Sequence, residues 1–151
     1  MKQERKDWYA GEFVRINEEI GGKKCLSYQD FLRIKNYKAQ ALSIAEEMDI
    51  KKQTEKAFEA ADNNDVEGAI KTLTKLHGVG IATASAILAM RNPDKYAIVD
   101  KRVIKNLGKS FEKNPLKSPA GYVEYLMIMK KNAAGKPLRE YERKLFEKEP
   151  I

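Results

Sequence analysis

The sequence predicts an all-α fold, a single domain over residues 1–151 built as a compact bundle of about eight helices. Three observations carry this. Leu, Ile, Ala and Met recur at three- and four-residue spacings, the period of an amphipathic helix. Gly or Pro punctuates the chain at intervals of about 10 to 20 residues, which sets the helix lengths. No segment alternates apolar and polar residues with period two, so nothing reads as a half-buried strand.

In chain order, a first helix spans Asp7 to Ile20 with Trp8, Phe13, Ile16 and Ile20 on its apolar side, and Gly21-Gly22 ends it. Ser27 caps a second helix, with Asp30 at the third position in place of a capping-box Glu. That helix carries Phe31, Leu32 and Ile34 and runs on or kinks near Tyr37, before a further stretch from Ala41 to Met48. A polar helix follows from about Lys52 to Ala61, closed by the turn Asp62-Asn63-Asn64. Asn64 with Glu67 makes a capping box that opens a helix from Asp65 to Leu76, with Ala69, Ile70, Leu73 and Leu76 inward. After His77-Gly78-Val79-Gly80 a very apolar helix runs from about Ile81 to Met90, broken by Asn92-Pro93-Asp94. Asp100 caps a short helix that Gly108 ends. Ser118-Pro119 places a cap and a first-turn proline ahead of a helix through Lys130, and the last helix runs from Pro137 to about Phe146. There are no internal repeats and no low-complexity tracts.

Composition narrows the function. Lys and Arg number 29 against 22 Asp and Glu, a net charge of +7 that suits a polyanion-binding surface without requiring one. The single Cys25 excludes an internal disulfide framework and any Cys-rich zinc or iron–sulfur site. No apolar run approaches the roughly 20 residues of a membrane span, and Met1 to Lys6 lead into no signal-peptide core. The expectation is a cytoplasmic chain, nucleoid-associated if prokaryotic, monomeric, and not a membrane protein.

The most specific signal lies between the two helices over about 65–90, at Leu76-His77-Gly78-Val79-Gly80-Ile81-Ala82-Thr83-Ala84. Glycines two apart let the backbone turn tightly and leave N–H groups exposed at a helix N-terminus, a concavity that suits a phosphate oxygen. Val79 between them can plug into the core. A bare Gly-x-Gly is equally a plain helix–helix turn. The extended pattern, with Thr83-Ala84 and Ile87 following, is similar to the helix–hairpin–helix motif of DNA-repair proteins.

The similarity continues downstream. Tyr96-Ala97-Ile98-Val99-Asp100-Lys101-Arg102-Val103, with Asp100 eighteen residues beyond Ala82, resembles the apolar-Val-Asp stretch of the helix–hairpin–helix DNA glycosylase superfamily. The small stand-alone members of that superfamily are the nearest likeness, through Ser27 to Ile34, Tyr37-Lys38, Pro93 to Tyr96 and Leu138 to Arg143. Only residues 65–107 carry a specific motif.

The resemblance implies double-stranded DNA as partner, with His77, Gly78, Val79, Gly80 and Thr83 at its backbone and Asp100 as the catalytic carboxylate. Asp100 is also a plain helix cap, and both roles can hold together. Lyase-type members carry a lysine two residues after the second hairpin glycine. This chain has Ala82 there, which points to the monofunctional branch with a water nucleophile. The superfamily's iron–sulfur loop is absent, no other cofactor is implied, and a monovalent cation at the hairpin is admitted. With no second His and no Cys beside it, His77 does not read as a metal ligand.

A flipped base needs aromatic walls and polar edges. Trp8, Tyr9, Tyr28, Tyr37 and Tyr96 are candidates, each equally readable as ordinary packing, and Lys38 is a candidate pocket residue or a solvated lysine. Lys101, Arg102 and Lys105 are candidate phosphate contacts beside Asp100; Lys109, Lys113 and Lys117 continue the spacing, but Gly108 and Pro115 prevent a continuous helix, and the series reads equally as a solvated face. The leading expectation is therefore a monofunctional DNA glycosylase. Its rivals are a non-catalytic DNA-binding module, a protein-interaction domain in which the hairpin is only a turn, and a lyase using Lys38 or another lysine.

Overall fold

The computed structural model describes residues 2–38 and 45–148. Among them are eight α-helices and no strand: α1 (Gln3–Ile20), α2 (Tyr28–Lys38), α3 (Glu47–Asp62), α4 (Val66–Leu73), α5 (Ile81–Arg91), α6 (Lys101–Leu107), α7 (Pro119–Ala133) and α8 (Leu138–Glu147). No described helix is long and apolar enough to cross a membrane.

The central element is α5. Eight of its eleven residues are buried, and α1, α2 and α4 all pack against it. Its alanines let those neighbours approach closely, while Ile87 and Leu88 fill the space between them. Around this axis α3 packs on α4, α4 on α7, and α8 bridges α6 and α7. Arg91 closes one end: its guanidinium pairs with both oxygens of Asp62 at 2.8 and 3.0 Å and lies 4.4 Å from the Phe58 ring centroid.

Most caps form as the sequence dictates. Ser27 Oγ accepts from Asp30 N, and Asp30 Oδ2 accepts from Ser27 N, both at 3.1 Å, so Asp30 completes a reciprocal capping box. Ser118 Oγ accepts from Gly121 N, with Pro119 in the first turn of α7. Gly21 ends α1, and Gly22 takes a left-handed φ of +78°.

Four expectations need correction. The capping box at Asn64 does not form: Asn64 has φ +64°, a turn conformation, so Asp65 becomes the cap and its Oδ1 accepts from Gly68 N at 2.9 Å. Glu67 instead pairs with Lys71 one turn on, at 3.5 Å. Helix α4 stops at Leu73, and Leu76 reaches the core from a turn. Helix α1 starts at Gln3 rather than Asp7, because its polar first turn carries no apolar signal and is tied by Gln3 Nε2 to Asp7 Oδ1 at 2.9 Å. Of the stretch from Ala41 to Met48, residues 41–44 lie outside the described residues; Ala45 and Glu46 are not helical, and Met48 belongs to α3.

Candidate active site

Between α5 and α6 the chain crosses the interior without regular structure. Tyr96, Ala97, Ile98 and Val99 are all at most 5% exposed, so their peptide groups must find partners inside the protein. Side chains supply them. Val99 N donates to Ser85 Oγ on α5 at 3.0 Å, and Ile98 N to Glu142 Oε1 on α8 at 3.2 Å. From α7, Tyr122 and Tyr125 donate their hydroxyls to the carbonyls of Ala97 and Ile98 at 2.9 and 2.8 Å. Burial holds both phenols well above their usual range, so they stay protonated as donors. This strap delivers Asp100, whose Oδ1 accepts from Val103 N at 2.8 Å and caps α6.

Asp100 opens onto a cavity of about 200 Å3. Helix α2 contributes Tyr37 and Lys38, α1 contributes Lys6, Tyr9 and Ala10, and the strap adds Ile98. Helix α8 forms the remaining wall through Arg139, Glu142, Arg143, Phe146 and Glu147. The cavity is therefore built by four separate pieces of chain, and among the sequence candidates it brings together Asp100, Tyr37, Lys38 and Tyr9.

The floor is a buried ion pair. Arg139 Nη1 donates to both carboxylate oxygens of Glu142 at 2.8 Å, and Nη2 to Tyr37 Oη at 3.1 Å. The guanidinium also stacks 4.1 Å from the Phe13 ring centroid. Burial pushes the Glu142 carboxyl up, against the pull of Arg139 and of Ile98 N–H. Burial also raises the Tyr37 phenol to about 12, so it remains neutral. Tyr37 is wedged edge-on against Tyr9 at 5.2 Å and stacked under Trp8 at 6.3 Å.

Lys38 stands above this floor. Burial is the main cause that pulls its ammonium below the usual range; Arg139 adds to this, while Asp100 and Glu142 oppose it. Among the described residues Nζ has no hydrogen-bond partner.

The glycine turn lies on the same helix. Lys35 Nζ donates to Gly78 O at 2.6 Å, and Lys35 precedes Lys38 by one turn of α2. Gly78 has φ +76°, a conformation that favours glycine, and Val79 is buried beneath it. Gly80 differs: at φ −95° any residue fits, and a Cβ there would meet nothing within 4 Å. No side chain caps α5 at Gly80, and its first-turn N–H groups have no intrahelical partner. Thr83 sits half-buried in that turn and His77 is exposed. Gly78 O, on the turn where the sequence admits a monovalent cation, accepts from the Lys35 ammonium.

Several candidates fall elsewhere. Trp8 is 48% exposed and backs Tyr37 from outside, because the apolar face of α1 is narrower than its spacing suggests. Tyr28 is half-buried at the far end of α2 from Lys38. Tyr96 is buried with its hydroxyl 3.4 Å from Ala61 O, on the side of α3. Arg102 turns onto α8, 5.4 Å from the Phe146 ring centroid and donating to Lys148 O at 3.2 Å, so it anchors that helix. Lys101 and Lys105 are exposed on α6, and Lys109, Lys113 and Lys117 on the loop beyond it.

Arg139, Glu142 and Lys6 carry no signal in isolation. Arg139 and Glu142 sit in a charge-rich segment that reads as a solvated helix face, although the likeness over Leu138 to Arg143 covered them. Compared with protein-family models, curated proteins and solved structures, the chain matches none.

Proposed function

We propose that this protein is a base-excision DNA glycosylase that hydrolyses the N-glycosidic bond of an altered base. One observation carries the reading: α2 places its Gly78 contact, Lys35, and its cavity residue, Lys38, one turn apart on one side, with Asp100 lining the same cavity. A DNA backbone held at the turn around Gly80 then presents a flipped nucleotide to the cavity. The residues support each step. Open N–H groups of α5 and the exposed Lys101 and Lys105 grip phosphate without reading sequence. Tyr9 and Tyr37 give a flat base an aromatic wall, and the volume of about 200 Å3 admits a single ring. As the bond to the base breaks, positive charge builds on the sugar. The Asp100 carboxylate stabilises that charge and orients the attacking water, while its cap to Val103 keeps it from swinging away.

The test is a panel of duplexes carrying oxidised, deaminated or alkylated bases, followed by alkali to break abasic sites. The parent chain should produce alkali-dependent breaks on at least one duplex. Asp100→Asn, whose amide oxygen can still cap α6, should be at least about 100-fold slower, the usual span of a lost general base. Tight, salt-sensitive duplex binding with no breaks on any lesion would refute catalysis and leave a DNA-binding module.

A further inference from the structure

We propose that Arg143 of α8 is the phosphate contact of the Asp100 cavity, which takes a whole nucleotide, the base against Tyr9 and Tyr37 and the phosphate on the Arg143 guanidinium. The inference deepens the glycosylase reading by naming what holds the flipped nucleotide. It rests on that reading only for the nucleotide's being part of a DNA strand.

Arg143 is the cavity guanidinium that the fold does not use. Arg139, one turn earlier on α8, is committed to Glu142 and Tyr37 in the floor. Arg143 is half-buried, lines the same cavity, and has no hydrogen-bond or ion-pair partner among the described residues. Helical spacing offers it two carboxylates, Glu140 three residues before and Glu147 four after. Glu140 pairs with Lys144 instead, at 3.6 Å, and among the described residues no ion pair joins Arg143 to Glu147. A planar fork of donors left unpaired beside an aromatic wall matches the oxygens of a phosphate, which a guanidinium binds in pairs.

Charge and placement agree. With Arg139 and Glu142 cancelling, the lining keeps Lys6, Lys38 and Arg143 against Asp100 and Glu147, an excess of one cation. That excess balances the single negative charge of a phosphodiester. Arg143 also borders the neighbouring groove beside Val14 and Asn17, so it stands at the rim of the cavity rather than in its floor. One helical turn, about 5.4 Å of rise, separates it from Arg139. A base lying over the floor therefore carries its own phosphate toward Arg143.

The experiment is an NMR titration of the full chain with thymidine 5′-monophosphate, thymidine 3′-monophosphate, thymidine and inorganic phosphate. At least one monophosphate should bind at least tenfold more tightly than thymidine and than inorganic phosphate, the scale of one charge-assisted pair. Arg143→Gln should bring that monophosphate to within about threefold of thymidine and leave thymidine itself within about twofold. Should the variant fail to fold, the parent chain decides alone: the Arg143 Nε–H resonance should shift with the monophosphate and not with thymidine. Monophosphates no tighter than thymidine, an advantage undiminished in folded Arg143→Gln, or inorganic phosphate binding as tightly as the monophosphates would overturn the proposal. Binding of a mononucleotide needs no base removal, so the two readings fail separately. Lesion excision by a parent whose monophosphate advantage survives Arg143→Gln overturns Arg143 alone. An Arg143-dependent advantage with no lesion excised overturns the glycosylase reading alone.

Discussion

Gly80→Ala should leave the fold standing and weaken the hold on DNA. The backbone at Gly80, φ −95° and ψ −174°, is extended and open to any residue. A Cβ built there meets nothing within 4 Å, so the cost to folding is only that of a poorer helix cap, about 0.5–1 kcal/mol. For a chain of this size that lowers Tm by about 1–4 °C. Binding responds differently. The methyl group projects into the approach to the open N–H groups of α5, where a phosphate oxygen would sit. Losing one charge-assisted hydrogen bond costs about 1.5–3 kcal/mol, roughly 10- to 100-fold in Kd. Fluorescence anisotropy of a labelled duplex at two salt concentrations, alongside thermal unfolding, reads both quantities. A Kd within twofold of the parent, with Tm retained, would refute the turn as the phosphate site. Gly78 is unsuited to this test, since at φ +76° an alanine costs about 1–2 kcal/mol of folding whatever binds outside.

Two further substitutions test the frame around the site. Glu142→Leu removes the acceptor for Ile98 N and strands the Arg139 guanidinium, so urea unfolding should show a loss of about 3–5 kcal/mol. Adding Arg139→Met should recover most of that loss and leave the unpaired Ile98 N–H, about 1–3 kcal/mol; a single variant within 1 kcal/mol of the parent, roughly the scatter of surface changes, would contradict the strap's dependence on α8. Lys101→Met should flatten the dependence of log binding constant on log salt by about one, and an unchanged slope would remove Lys101 from the phosphate contacts.

What was legible in the sequence follows from how local each cause is. Ser27 with Asp30, Asp100, and Ser118 with Pro119 act within one helical turn, so their caps were readable and formed. Asn64 failed because a left-handed turn residue moves the cap one place on, and Asn and Asp are both apt for either role. Trp8 misled because a large aromatic at helical spacing reads as core, whereas here it covers Tyr37 from the solvent side. The cavity floor was illegible for a stronger reason. Arg139 and Glu142 are three apart among Glu140, Arg143 and Lys144, where a solvated face and a buried pair have the same pattern. Only the strap's need for an acceptor at Ile98 N separates them, and that need arises where residues far apart in sequence meet.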